Sequence, residues 1–249
     1  CTIDRGETRL DPARPITPYA VFLIRIRRAV GKELNPDKAS HAALAAGTGM
    51  VRWMIARFDA GVSPAELAVE CAHSPDFAAE CAAIRMDLDR YRADLARAER
   101  LTPALPAADG GLLAVPGLWI EHPEAWLFKS WARGDTGGAA DPRGFVFLAV
   151  GFQGGRTILS VQPNVGVTLE GLGEALEYAE TMKRRLLGQE RRGPARPGYG
   201  SPDPWYDGRS PLHRFTIVDS PHDGTVLTPV EVRAAFNAWL KGLSAPTKL

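Results

Sequence analysis

Phe145-Val146-Phe147-Leu148-Ala149-Val150, then Gly151-Phe152-Gln153-Gly154-Gly155, then Arg156-Thr157-Ile158-Leu159-Ser160-Val161 is the stretch whose reading decides the fold class. Two runs rich in β-branched and aromatic residues flank a glycine-containing turn, and that pattern predicts an antiparallel hairpin. Outward from it, Leu118-Trp119-Ile120 suits a short strand upstream and Arg214 to Val218 another downstream. Helical patterns fill the intervals. One runs from His122-Pro123 to Trp131, and a second from about Leu169 to Leu187 behind a Thr168 cap. A third opens on Thr228-Pro229-Val230-Glu231, a capping box, and runs to about Gly242. Gly134 to Gly144 reads as a polar, glycine-rich turn. Together these elements predict an α+β domain over residues 117–249, a small mixed or antiparallel sheet packed with helices.

Upstream the hydrophobic period changes to that of helices. Residues 1–100 read as a helical region or arm, with start signals at Thr17-Pro18, Asn35-Pro36, Ser63-Pro64-Ala65-Glu66 and Ser74-Pro75. After Ser74, the residues Phe77, Cys81, Ile84, Leu88, Tyr91 and Leu95 recur at helical spacing as far as about Arg100. Residues 101–116, punctuated by Pro103, Pro106, Gly110, Gly111 and Pro116, read as a linker. If Phe22, Leu23 and Ile26 form an exposed stripe on the first helix, the chain is a subunit of a larger assembly.

The 249 residues carry 30 Lys and Arg against 29 Asp and Glu, a net charge of +1 that gives no global attraction to nucleic acid or anionic lipid. No apolar run is long enough to cross a bilayer, and Ala20 to Ile24 meets Arg25 at once, so no membrane partner is expected. Three cysteines cannot frame a disulfide scaffold and suit a reducing, cytoplasmic setting; Cys71 and Cys81 fall on apolar helical faces as core thiols. Cys1 stands where an initiator Met would, so a processed or trimmed product is the expectation rather than an N-terminal nucleophile.

Gly134-Asp135-Thr136-Gly137-Gly138 has the look of the turn around a trypsin-like nucleophile, but His41, His73 and His122 lie in helical or helix-start contexts, so a surface turn is the reading. The tail carries more chemistry. One loop holds Tyr206, Asp207, Arg209 and His213, and a second, after the strand, holds Asp219, His222 and Asp223. Loops held by a rigid strand concentrate function. Asp207, His213, Asp219, His222 and Asp223 are the acid–base candidates of a hydrolase. Asp219, His222 and Asp223 are the candidate ligands of a divalent metal, Mn²⁺ or Mg²⁺. A basic stretch, Lys183, Arg184, Arg185, Arg191, Arg192 and Arg196, is opposed there only by Glu190. If it binds, its ligand is a phosphate on a small molecule or nucleic acid, or an acidic protein surface.

Residues 144–179, with Gly144 to Val150, Gly154 to Val161 and Val167 to Tyr178, also look like the C-terminal accessory domain of DHH-type phosphoesterases. The resemblance implies a substrate-holding hairpin, with Arg156, Ser160, Gln162 and Asn164 facing the ligand. It also implies a helical arm, for which Ala68 to Arg100 is similar in pattern. The family's Asp-His-His motif and its Gly-Gly-Gly-His turn are absent. The function expected from the sequence is therefore a non-catalytic intracellular module. It recognises a phosphate-bearing ligand or protein partner through Arg156, Ser160, Gln162, Asn164, Arg184, Arg185, Arg191, Arg192, Tyr206 and Arg209. A metal-assisted phosphoester hydrolase using the two C-terminal loops is the alternative, and a catalytic domain upstream of Cys1 is a third arrangement.

Overall fold

The computed structural model describes residues 9–18, 20, 21, 24, 53, 56–191, 193–196, 198–200 and 202–244. Cys1, the stripe at Phe22, Leu23 and Ile26, His41 and Arg192 lie outside the described residues. The chain is α+β. Its elements are α1 (Pro64–Ala72), α2 (Pro75–Arg97), β1 (Glu99–Leu101), β2 (Ala104–Pro106), β3 (Leu112–Ala114), β4 (Gly117–Glu121), α3 (Phe128–Gly134), α4 (Thr136–Ala139), β5 (Phe147–Phe152), β6 (Arg156–Val161), α5 (Leu172–Leu187), β7 (Ile217–Asp219) and α6 (Pro229–Ser244). They sort into two compact units, residues 1–93 with 125–135, and residues 94–124 with 136–249.

In the first unit, α1 begins where its capping box places it. The Ser63 hydroxyl accepts from the Glu66 amide at 3.3 Å and the Glu66 carboxylate accepts from the Ser63 amide at 2.9 Å. Ser74 caps α2 in the same manner, its hydroxyl accepting from the Phe77 amide at 3.3 Å. Leu67, Cys71, Cys81, Ile84 and Tyr91 are buried, as helical spacing requires. Tyr91 packs against Phe128 and Trp131 of α3, with ring centroids 5.6 and 6.4 Å away. Asp87 is buried among these rings and accepts from the Trp126 amide, the Leu127 amide and the Trp131 indole. The helix expected from His122 begins only at Phe128; His122 takes a positive φ of 51°, and the Trp126 and Leu127 amides are held by Asp87.

The second unit is built on a five-stranded mixed sheet of order β1-β4-β5-β6-β7. β5 and β6 form the expected antiparallel hairpin, Phe147 opposite Val161 and Phe152 opposite Arg156. β4 lies parallel to β5, and their connection includes residues 125–135 of the first unit. Trp119, Phe147, Ala149, Leu159, Val161 and Val218 form one core with Leu172 and Leu176 of α5 and Val232 and Phe236 of α6. The alternate residues Leu118, Ile120, Leu148 and Val150 are buried as well. Burial on both faces explains why the deciding stretch reads as continuous apolar sequence rather than an alternation. Residues 101–116 are not a bare linker: β2 and β3 pair as a two-stranded ribbon that sends Leu105 into the core, with Val115 just beyond it.

Helix α6 opens on its Thr228 box, the Glu231 amide donating to the Thr228 hydroxyl at 3.3 Å and the Thr228 amide to Glu231 at 2.7 Å. Helix α5 does not open on Thr168. Its N-cap is Gly171 at φ 83°, a conformation that a residue with a Cβ adopts only with strain. The two helices run antiparallel. Trp239 donates its indole N–H to the Glu170 carbonyl at one end, and Lys183 pairs with Glu231 at the other.

Candidate functional site

Among the described residues of 188–227 the one strand is β7 (Ile217–Asp219), and acidic side chains from the inner face of α5 organise the segment. Glu177, Glu180 and Arg184 lie three and four residues apart, so they share that face. Glu180 is fully buried. It accepts from Arg184 Nε at 2.6 Å, from the Val226 amide at 3.1 Å, from the Trp205 indole at 3.4 Å and from the Thr225 hydroxyl. Arg184 in turn donates Nη2 to the Gly224 carbonyl at 2.9 Å and to Asp223 at 3.3 Å. One buried ion pair thus pins the 223–226 loop to the helix. Glu177 receives the Trp205 amide at 3.0 Å and Arg191 Nη2 at 2.5 Å, fixing the chain after α5.

A second centre is Asp203, which is fully buried at φ 38°. Its carboxylate meets His222 Nδ1 at 2.6 Å, the Asp223 amide at 3.2 Å and Arg196 Nε at 3.4 Å. Burial pushes this carboxyl up, but hydrogen bonds from His222 and Asp223 outweigh it and hold the group below the usual carboxylate range. Asp207 repeats the pattern. Burial raises it, while Arg209 at 2.6 Å and the Tyr199 hydroxyl bring it below its ordinary value. The Tyr199 phenol, buried and bonded to Asp207, is raised to about 12. Arg209 also lies 4.4 Å from the Tyr199 ring centroid, and Arg196 lies 5.7 Å from that of Tyr206.

The sequence-derived candidates are therefore distributed among separate partnerships. Asp219 faces Arg156 at 3.5 Å on the sheet, His222 faces Asp203, and Asp223 faces Arg184. Among the described residues no group of three or more His, Cys, Asp or Glu side chains is placed to hold a metal ion. Asp219, His222 and Asp223 do not form the expected metal site, because each carboxylate is drawn to a different arginine and the imidazole to Asp203. His213 packs edge-on to Tyr206 at 5.7 Å, and Tyr206 bonds the Ser210 hydroxyl at 2.9 Å. On the hairpin, Ser160 and Gln162 are buried, Gln162 donating to the Arg143 carbonyl at 2.6 Å, while Asn164 is exposed. The basic stretch is largely neutralised from within: Lys183 by Glu231, Arg184 by Glu180, Arg191 by Glu177 and Arg196 by Asp203. Arg185 stays exposed, with no ion pair among the described residues.

Two features escaped the sequence reading. Asp203, within Pro202-Asp203-Pro204, has the composition of a solvent turn, and nothing local marks its burial. Glu180 left a usable signal, its spacing four residues before Arg184. A cleft of about 600 Å³ opens between the end of α5 and the 223–226 loop, lined by Arg184, Gln189, Glu190, Asp223 and Thr225 among others. It presents both signs of charge. The Asp203–His222 pair has the form that orients an imidazole for proton transfer, a buried carboxylate on Nδ1 with the ring half exposed. Ser220 does not complete a triad with it, since its hydroxyl is buried and accepts from the Thr157 amide at 3.0 Å.

The outward side of α5 is of a different kind. Tyr178 is 70% exposed, Met182 42% and Leu186 84%, at successive steps of four, and Val230 at the adjoining start of α6 is 77% exposed. Among the described residues no helix is long and apolar enough to cross a membrane. Comparison with protein-family models, with curated proteins and with solved structures finds no match to this chain.

Proposed function

We propose that the chain is a non-catalytic intracellular interaction module that binds a protein partner through the outer surface of α5 and the start of α6. The observation that carries this reading is the row Tyr178, Met182 and Leu186, continued by Val230. A helix in a two-layer domain normally turns its apolar stripe inward and its polar residues outward. Helix α5 has a complete inner stripe in Leu172 and Leu176 and carries a second apolar row on its opposite side. Contiguous exposed apolar surface of this kind marks interaction sites. The phosphate-binding arm has less support, because Arg184, Arg191 and Arg196 are each engaged by a buried or half-buried carboxylate. Such a pair is costly to break, so these groups are poor ligands for an incoming anion.

A photo-reactive amino acid placed at Tyr178 or Leu186 of the full chain, illuminated in an extract of the producing cells, tests the reading. Covalent products are expected from both positions and not from Leu212, an exposed leucine on the loop before β7. Equal or no cross-linking at the three positions removes the proposal.

A further inference from the structure

Resting on that reading of the α5 face, we infer that its partner is a second copy of the chain, paired α5 to α5 antiparallel about a two-fold axis. At 100° per residue, Glu174, Tyr178, Met182, Arg185 and Leu186 fall within about one third of the helix circumference. That arc lies opposite the buried positions Leu172, Leu176, Glu180 and Arg184. The row is ordered, with an acid at its N-terminal end, apolar residues in the middle and a base towards its C-terminal end.

Such an order is self-complementary in one orientation only. A two-fold axis level with position 180 sets Tyr178 opposite Met182 of the second copy. Glu174 then lies opposite Leu186, one residue or about 1.5 Å of rise from Arg185 of that copy. Symmetry repeats both contacts, so two carboxylate–guanidinium pairs close the ends of one apolar seam. Parallel pairing in register sets Glu174 against Glu174 and Arg185 against Arg185, which like-charge repulsion disfavours. The neighbouring charges are already engaged: Lys183 pairs with Glu231, and Glu177 with Arg191. Glu174 and Arg185 are the charged side chains of the row itself, and both are exposed. Val230 extends the apolar rim onto α6, beside the Lys183–Glu231 pair. A seam of one helix row with this margin is smaller than a standard permanent interface, so the dimer should be reversible and concentration-dependent.

Sedimentation equilibrium of the full chain from about 1 μM to about 1 mM, at low and high salt, reads this directly. The expected result is a monomer–dimer equilibrium that weakens with salt. Glu174→Arg and Arg185→Glu should each weaken it about tenfold, and the double swap should return it to within about threefold of the original. Leu186→Glu should leave a monomer. All three positions are exposed, so circular dichroism should show the fold unchanged. A monomer across the whole range, or a double swap no better than either single change, overturns the pairing. If the cross-linkers at Tyr178 and Leu186 then capture a different chain, the interaction face stands while self-association falls; if they capture nothing, both fall.

Discussion

Asp203 takes a left-handed backbone conformation, has no exposed surface, and holds His222, Arg196 and the Asp223 amide on one carboxylate. An unpaired charge in that position costs several kcal/mol, so its partners decide whether the 193–224 segment closes at all. Asp203→Asn keeps the shape and removes the charge. It should lower stability of the second unit by about 2–3 kcal/mol, read as a shift in denaturation midpoint with the slope unchanged. A loss below about 0.5 kcal/mol would show that the segment is held by something else. Residues of this kind are where the sequence is least informative. Asp203, Asp207 and Asp223 are all set in Gly- and Pro-rich contexts that read as solvent turns; titratable clustering points to chemistry at Asp207 and Asp223, and nothing points to Asp203. Each acid is engaged within the fold: Asp223 ties its loop to Arg184 of α5, Asp207 holds Arg209 and Tyr199, and Asp203 joins two loops through His222 and the Asp223 amide. What local sequence does carry is the i,i+4 pair of Glu180 and Arg184, because a helix fixes its geometry without help from the rest of the fold.

The same distinction governs the elements. Where a side chain starts a helix, the start is legible: Ser63, Ser74 and Thr228 each cap the helix they announce. Where backbone does so, it is not. Helix α5 opens on the left-handed Gly171 rather than on Thr168. Strand β7 starts late because Arg214 and Phe215 take positive φ values of 45° and 58°. The hairpin is legible because two β-rich runs flank a glycine-containing turn, and the strands pair as that turn requires, Phe147 opposite Val161 and Phe152 opposite Arg156. At the turn, Gly155 at φ 74° comes against the 223–226 loop, where a Cβ would lie 2.7 Å from the Thr225 carbonyl oxygen. That approach joins two segments more than sixty residues apart, so no local reading predicts it. The Thr228 box has a measurable value. Thr228→Ala removes the acceptor for the Glu231 amide and should cost about 1 kcal/mol. Amide exchange in the first turn of α6 should accelerate while β5 and β6 remain protected from local opening; unchanged exchange there would mean the cap contributes nothing.

Across the whole molecule the shifted buried carboxyls of the two units move in opposite senses. In the second, Asp203 and Asp207 have carboxyls held below their ordinary values by their hydrogen bonds, and Glu231 falls to about 2 beside Lys183 and Thr228. A lowered folded-state value means that the unfolded chain takes up protons first. The stabilisation is fully present above the unfolded carboxylate range near 4, and is lost as pH falls towards the folded values. Glu231 is half exposed, so solvent screening reduces its share, and the buried Asp203 and Asp207 dominate. In the first unit, burial pushes the Asp87 carboxyl up against the hydrogen bonds of Trp131, Trp126 and Leu127. Its charged form is therefore the strained one, and this residue's contribution improves as pH falls through its raised value. Hydrogen exchange measured from pH 6 downwards should show peptides from β5, β6 and α5 losing global protection before those from α2 and α3, once intrinsic exchange rates are corrected for pH. Asp203→Asn should remove part of the pH dependence from the second unit and leave the first unit's profile where it was. If α2 and α3 open first, the carboxylates do not govern the acid response, and the stability of the second unit must come from its apolar core alone.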